Sequence, residues 1–207
     1  EWAKKNMVEI QNLYRKTSLV QLILGGVLFA LIFLNIDGFY ALIPNGELFQ
    51  GGKWVVFFIG LGKWFAIATG ANIEILQLSP YYRHSLWIRF VLLSSAVVTN
   101  FIFIPIFGII GAAIATSITY FLNNSILSFL VWKKLGIHPF TSKSIQAFLV
   151  ISFAFFVAFI PFFENVYLNI FVKSSVFLMI TSGLVYAFKI SEDLQRLVRS
   201  SINRFKG

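Results

Sequence analysis

Two ionisable side chains stand where charge is costly. Lys63 lies about ten residues into a largely apolar run over 53–77, and Glu74 lies eleven residues further along it. At 1.5 Å per helical residue, Lys63 falls about 15 Å from the end of that run, near the midplane of a hydrocarbon core of roughly 30 Å. A lysine at that depth costs a few kcal/mol on insertion scales and normally faces a bundle interior or a water-filled cavity. Its chemistry would be to hold an anionic head group in a cavity; the competing reading is an ion pair with an acid from outside this chain. Three helical turns separate Lys63 from Glu74, which places them on nearly one stripe but about 16 Å apart, too far to pair directly. Glu74 is also close enough to its end of the run to reach the interface. Asn72, Asn100, Asn123 and Asn124 are the remaining cavity candidates. Taken singly, each reads as a hydrogen bond between helices, worth about 0.6 kcal/mol on average. The adjacent Asn123 and Asn124 must face different directions, so one of them could line a cavity.

The elements that position these groups are six long apolar runs, at 17–36, 53–77, 85–105, 108–131, 145–163 and 168–189. Each is long enough to cross a bilayer as a helix, and none shows the alternation of barrel strands. The expected fold is an all-α integral membrane protein of six transmembrane helices, with short amphipathic segments at 1–16 and 190–207. Hydrophobic residues make up 58% of the chain and charged residues 12%, against roughly 25% charged in soluble domains. The net charge of +9 does not point to nucleic acid, because the basic residues sit at the ends of the apolar runs.

That placement orients the chain. With both ends on the cytoplasmic side, 14 of the 17 Lys and Arg residues fall on that side, and only Lys53 and Lys173 on the other. The positive-inside rule favours this arrangement. Asp37, Glu47 and Glu164 fall outside, in loops at 37–52 and 163–167. Ile190, Leu194, Leu197, Val198, Ile202 and Phe205 recur at helical spacing in the tail, and Met7, Ile10 and Leu13 or Tyr14 do so near the start. Both segments read as lying on the inner leaflet, held by cations against anionic lipid. The chain opens Glu-Trp-Ala-Lys-Lys, which reads as part of something longer.

No catalytic constellation is present, and no enzyme activity or cofactor is expected. Cysteine is absent and the two histidines, His84 and His138, lie in different loops, so a metal centre is not expected. There is no phosphate-binding glycine loop, nucleophile elbow or His-Glu pair at helical spacing. The most patterned stretch, Asn100-Phe-Ile-Phe-Ile-Pro105-Ile-Phe-Gly108-Ile-Ile-Gly111-Ala-Ala-Ile-Ala115-Thr116, predicts a tight helical hairpin. Pro105 and Gly108 supply the turn, and Gly111, Ala112 and Ala115 a small-residue face for close helix approach.

This stretch, with Ala68-Thr-Gly-Ala-Asn72-Ile-Glu-Ile-Leu76 and Ser79-Pro-Tyr-Tyr-Arg83 before it, resembles the C-terminal half of bacterial Wzx-like polysaccharide flippases. These belong to the multidrug/oligosaccharidyl-lipid/polysaccharide exporter superfamily. The resemblance runs from Tyr14 to Lys189. It implies a two-lobed bundle of twelve to fourteen helices in the bacterial cytoplasmic membrane, working by alternating access. The implied substrate is a polyprenyl-pyrophosphate-linked oligosaccharide destined for cell-surface polysaccharide such as lipopolysaccharide. The first lobe would then be a partner absent from this chain, and Lys63 the cation that meets the pyrophosphate.

Two other readings compete. A MATE-type, ion-coupled exporter of small cations expects an acid in the cavity, for which Glu74 is the intramembrane candidate. A membrane glycan polymerase or ligase expects a large external loop with Arg and His, and the loop at 37–52 has neither. A structural or accessory subunit is a further possibility.

Overall fold

A computed structural model describes residues 7–160 and 163–191. They form α1 (Met7–Leu42), a 3-10 helix (Gly46–Gly52), α2 (Lys53–Ala68), α3 (Asn72–Leu78), α4 (Arg83–Leu135), α5 (Ser142–Ala158) and α6 (Val166–Ala187), with no strand among the described residues. Four helical segments are long and apolar enough to cross a membrane: α1, Gly46–Ala68, α4 and α6. At 17 residues, α5 is apolar but shorter, about 26 Å by its rise per residue.

The 53 residues of α4 do not make one rod. Gly108 has φ +57° and ψ −132°, inside an otherwise helical run. Two arms fold back on each other there. Thr99 Oγ1 lies 3.4 Å from Thr119 Oγ1 and 3.5 Å from the Ala115 carbonyl, residues that a straight helix would hold about 24–30 Å apart. Side chains avoid this backbone region, so the reversal falls on a glycine. Pro105 stays within helix, and the turn expected of Pro105 and Gly108 together is carried by Gly108 alone. Close approach is real at Gly111, where a Cβ would stand 2.0 Å from the Phe103 carbonyl oxygen. Gly111 and Ala115 are buried at this approach, where Thr99 Oγ1 reaches the Ala115 carbonyl, and Ala112 is half-buried.

Helix limits depart from the apolar runs in instructive ways. The first helix begins by Met7, with no break at 17, and continues past 36 to Leu42. Tyr14 is 1% exposed, packed with Leu76, Ile88, Leu127, Val131 and Ile137, while Leu13 is exposed. The stretch 7–16 is therefore continuous with α1. Of the tail, Ile190 and Ser191 are buried, and 192–207 lie outside the described residues. Within the expected loop at 37–52, six residues extend α1 and seven form the 3-10 helix. The run at 53–77 is not one helix, since residues 69–71 separate α2 from α3.

Phenylalanine fills much of the space between α1, α2 and α5. Phe29 lies 5.8 Å from Trp64 and 5.9 Å from Phe57, Phe33 lies 5.0 Å from Phe57 and 6.2 Å from Phe155, and Trp64 stacks on Phe148 at 5.5 Å. The Trp64 ring N–H, on a half-buried side chain, donates to the Leu22 carbonyl at 2.9 Å. Along the first arm of α4 the pattern inverts, and Trp87, Phe90, Leu93, Val97 and Phe101 are all exposed. Large exposed apolar surface of this kind suits lipid or a partner.

Antiparallel succession sorts the charges. At one end Lys53 pairs with Asp37 at 2.6 Å. At the other, Gln11 bonds both the N–H and the carbonyl of His138, at 3.0 and 2.7 Å, and Arg15 reaches its ring. Arg83, Lys133, Lys134, Lys143 and Lys189 lie at helix ends on this second side.

Candidate functional site

The interruption between α2 and α3 is built from short polar residues. Gly70 takes φ +68°, a conformation glycine adopts without strain. Carbonyls freed by such a break need donors in a dry setting. Ser18 Oγ, from α1, donates to the Ala68 carbonyl at 2.5 Å. Thr69 Oγ1 lies 2.7 Å from the Ala66 carbonyl and 3.1 Å from Asn124 Oδ1, and its single proton serves one of them at a time. Asn124 Nδ2 donates in turn to the Tyr120 carbonyl at 2.9 Å.

Asn72 closes the set. It is 1% exposed; its Oδ1 accepts from the Tyr14 hydroxyl and its Nδ2 donates to Ser128 Oγ at 3.1 Å. One side chain thus ties α3 to α1 and to the second arm of α4. The break is held by α1, α3 and α4 together.

Lys63 lies on the other side of the break, exposed on α2. Its Nζ stands 4.5 Å from the centre of the Tyr120 ring, and no ion pair of Lys63 occurs among the described residues. Gly62 brings this face of α2 against α4, since a Cβ there would lie 2.8 Å from Ser117 Cα. Phe65 and Phe121 meet at 4.3 Å one turn further on.

The expected common stripe of Lys63 and Glu74 does not survive the interruption at 69–71. It presumed continuous helical phase, and Gly70 resets it. Glu74 is exposed in the first turn of α3. Asn100 is half-buried on the first arm of α4, where its Nδ2 donates to the Ala96 carbonyl at 2.7 Å, beside an open apolar groove formed with Val97, Phe101 and Ile104. Asn123 is half-buried one turn beyond Tyr120 and takes no part in the Asn124 set. The fold therefore joins Asn72 and Asn124 around one helix break, sets Lys63 beside Tyr120, and leaves Glu74 and Asn100 apart. Pro105, Gly108 and Gly111 belong to the α4 reversal.

Tyr14, Ser18, Thr69 and Ser128 were not among the sequence candidates. The visible signal was Thr69-Gly70-Ala71, small residues without apolar bulk inside an apolar run. Among the described residues no group of three His, Asp or Glu comes together as a metal site.

This all-helical architecture, with several apolar helices of spanning length, suits a multi-pass membrane protein. No family model, curated protein or solved structure matches the chain.

Proposed function

We propose that this chain forms part of a flippase that moves polyprenyl-pyrophosphate-linked oligosaccharide across the bacterial cytoplasmic membrane by alternating access. In this reading it crosses the membrane six times, through α1, α2 with α3, the two arms of α4, α5 and α6, with both ends cytoplasmic. A second lobe completes the cavity. The observation that carries the proposal is Lys63, an ammonium within an apolar helix, lying on an aromatic face and exposed from this bundle. An anionic pyrophosphate is the ligand chemistry that such a group suits. The interruption between α2 and α3 adds support, because discontinuous helices recur where transporters move substrates. The sequence motifs around Asn72, Pro105 and Gly111 supply the rest.

The test is glycan export in cells carrying Lys63→Ala or Lys63→Arg in the native protein. Export should fall severalfold or more with alanine, at unchanged membrane abundance, and recover in part with arginine. Normal export by the alanine variant would remove Lys63 from the mechanism. Parallel loss of export and of protein would assign the lysine to folding.

A further inference from the structure

Where α1, the start of α5 and the exit of α6 meet, there is a cleft of about 150 Å³. Among the described residues, Arg15, Lys16 and Lys143 line it with Thr141 and Ser191, above a floor of Leu19 and Ile190. We propose that this cleft binds a phosphate-bearing anion, with the headgroup of an anionic glycerophospholipid as its source. The inference does not depend on the transport reading.

Arg15 is positioned before any ligand arrives. Its Nη2 lies 2.8 Å from His138 Nε2. A guanidinium has no acceptor, so Arg15 donates and the His138 ring nitrogen accepts. Gln11 fixes the same loop through both backbone groups of His138. With Nη2 so engaged, Nε of Arg15 is buried and has no hydrogen-bond partner among the described residues. A phosphate oxygen is the acceptor that best fits the planar donor group Arg15 brings to the cleft.

Lys16 and Lys143 are exposed at the cleft. The second of these stands in the first turn of α5, at the positive end of its helix dipole. Ser144 Oγ accepts the Thr141 N–H at 3.1 Å, which orders that turn. The floor is apolar and fully buried at Ile190, which suits a phosphodiester attached to glycerol and acyl chains. This end of the bundle also gathers the other basic helix ends, so a lipid headgroup would reach it at the membrane surface.

The experiment is native mass spectrometry of the full chain in zwitterionic detergent, titrated with short-chain phosphatidylglycerol, with phosphatidylcholine and with inorganic phosphate. One phosphatidylglycerol should bind in preference to phosphatidylcholine. The double variant Lys16→Gln/Lys143→Gln should bind about tenfold more weakly, from loss of two local cations. Lys133→Gln/Lys134→Gln, which removes the same charge from the end of α4, should bind within about twofold of the parent. Equal weakening in both double variants would mean general surface attraction and overturn the site, as would undiminished binding by the first. Inorganic phosphate binding as tightly as phosphatidylglycerol would keep the phosphate site and overturn its lipid source. Arg15→Gln should abolish preferential binding, with helicity by circular dichroism as the check on folding.

Discussion

The Lys63 ammonium lies 4.5 Å from the centre of the Tyr120 ring, so the charge inside α2 meets a π face and no carboxylate among the described residues. Cation–π contacts are worth about 0.5–1 kcal/mol at exposed sites and about 2 when desolvated. A double-mutant cycle of Lys63→Met and Tyr120→Leu, read from unfolding in detergent, should return a coupling of about 0.5–2 kcal/mol. Additivity within error would place the ammonium away from the ring.

Asn72 joins three elements, and its loss should be felt in stability. Asn72→Ala deprives the Tyr14 hydroxyl and Ser128 of partners in a buried setting. Two such bonds, with the packing lost beside them, correspond to about 1–2 kcal/mol. Tyr14→Phe removes one bond and should cost about 0.5–1 kcal/mol. Denaturant midpoints in mixed micelles measure both, and an unchanged midpoint for Asn72→Ala would show that this network holds nothing.

Gly62 and Gly183 should respond oppositely to the same added methyl. At Gly62 a Cβ would press on Ser117 backbone at 2.8 Å, whereas at Gly183, within α6, it meets nothing within 4 Å. Gly62→Ala should destabilise by about 1–3 kcal/mol as α2 is pushed from α4. Gly183→Ala should be neutral or stabilise by up to about 1 kcal/mol. Thermal midpoints in detergent decide; equal shifts would contradict the close approach of α2 and α4.

The α4 reversal gives a further contrast. Gly108→Ala meets no atom within 4 Å, so any cost is backbone strain, about 1–3 kcal/mol. Pro105→Ala changes a residue already inside helix and should cost less than Gly108→Ala. The reverse order of stabilities would make the proline the turn-forming residue after all.

Much of the helical scaffold was legible in the sequence because apolar length is a local property. Runs near twenty residues predict helices, and cations at run ends predict which ends gather together. The hairpin at 105–111 was legible too, since a glycine among helix formers marks the place where backbone can reverse. Helix limits were less so. Met7–Thr17 carries polar residues that suggest an interface, yet Tyr14 finds a buried site against α3 and α4, and the helix runs on.

The sequence alone determined that this chain makes apolar helices, where their charged ends lie, and that Lys63 is out of place within one of them. Only the tertiary structure decided the partners: Tyr120 for Lys63, Tyr14 and Ser128 for Asn72, and His138 for Arg15. Asn72 lies 58 residues from Tyr14, and Arg15 lies 123 from His138. No local pattern encodes such pairs, because helix packing sets them through positions such as Gly62 and Gly111 that fix how closely and in what register two helices meet. The break at residues 69–71 shows the same division. A glycine permits it, but donors from α1 and acceptors from α4 make it a stable part of the fold.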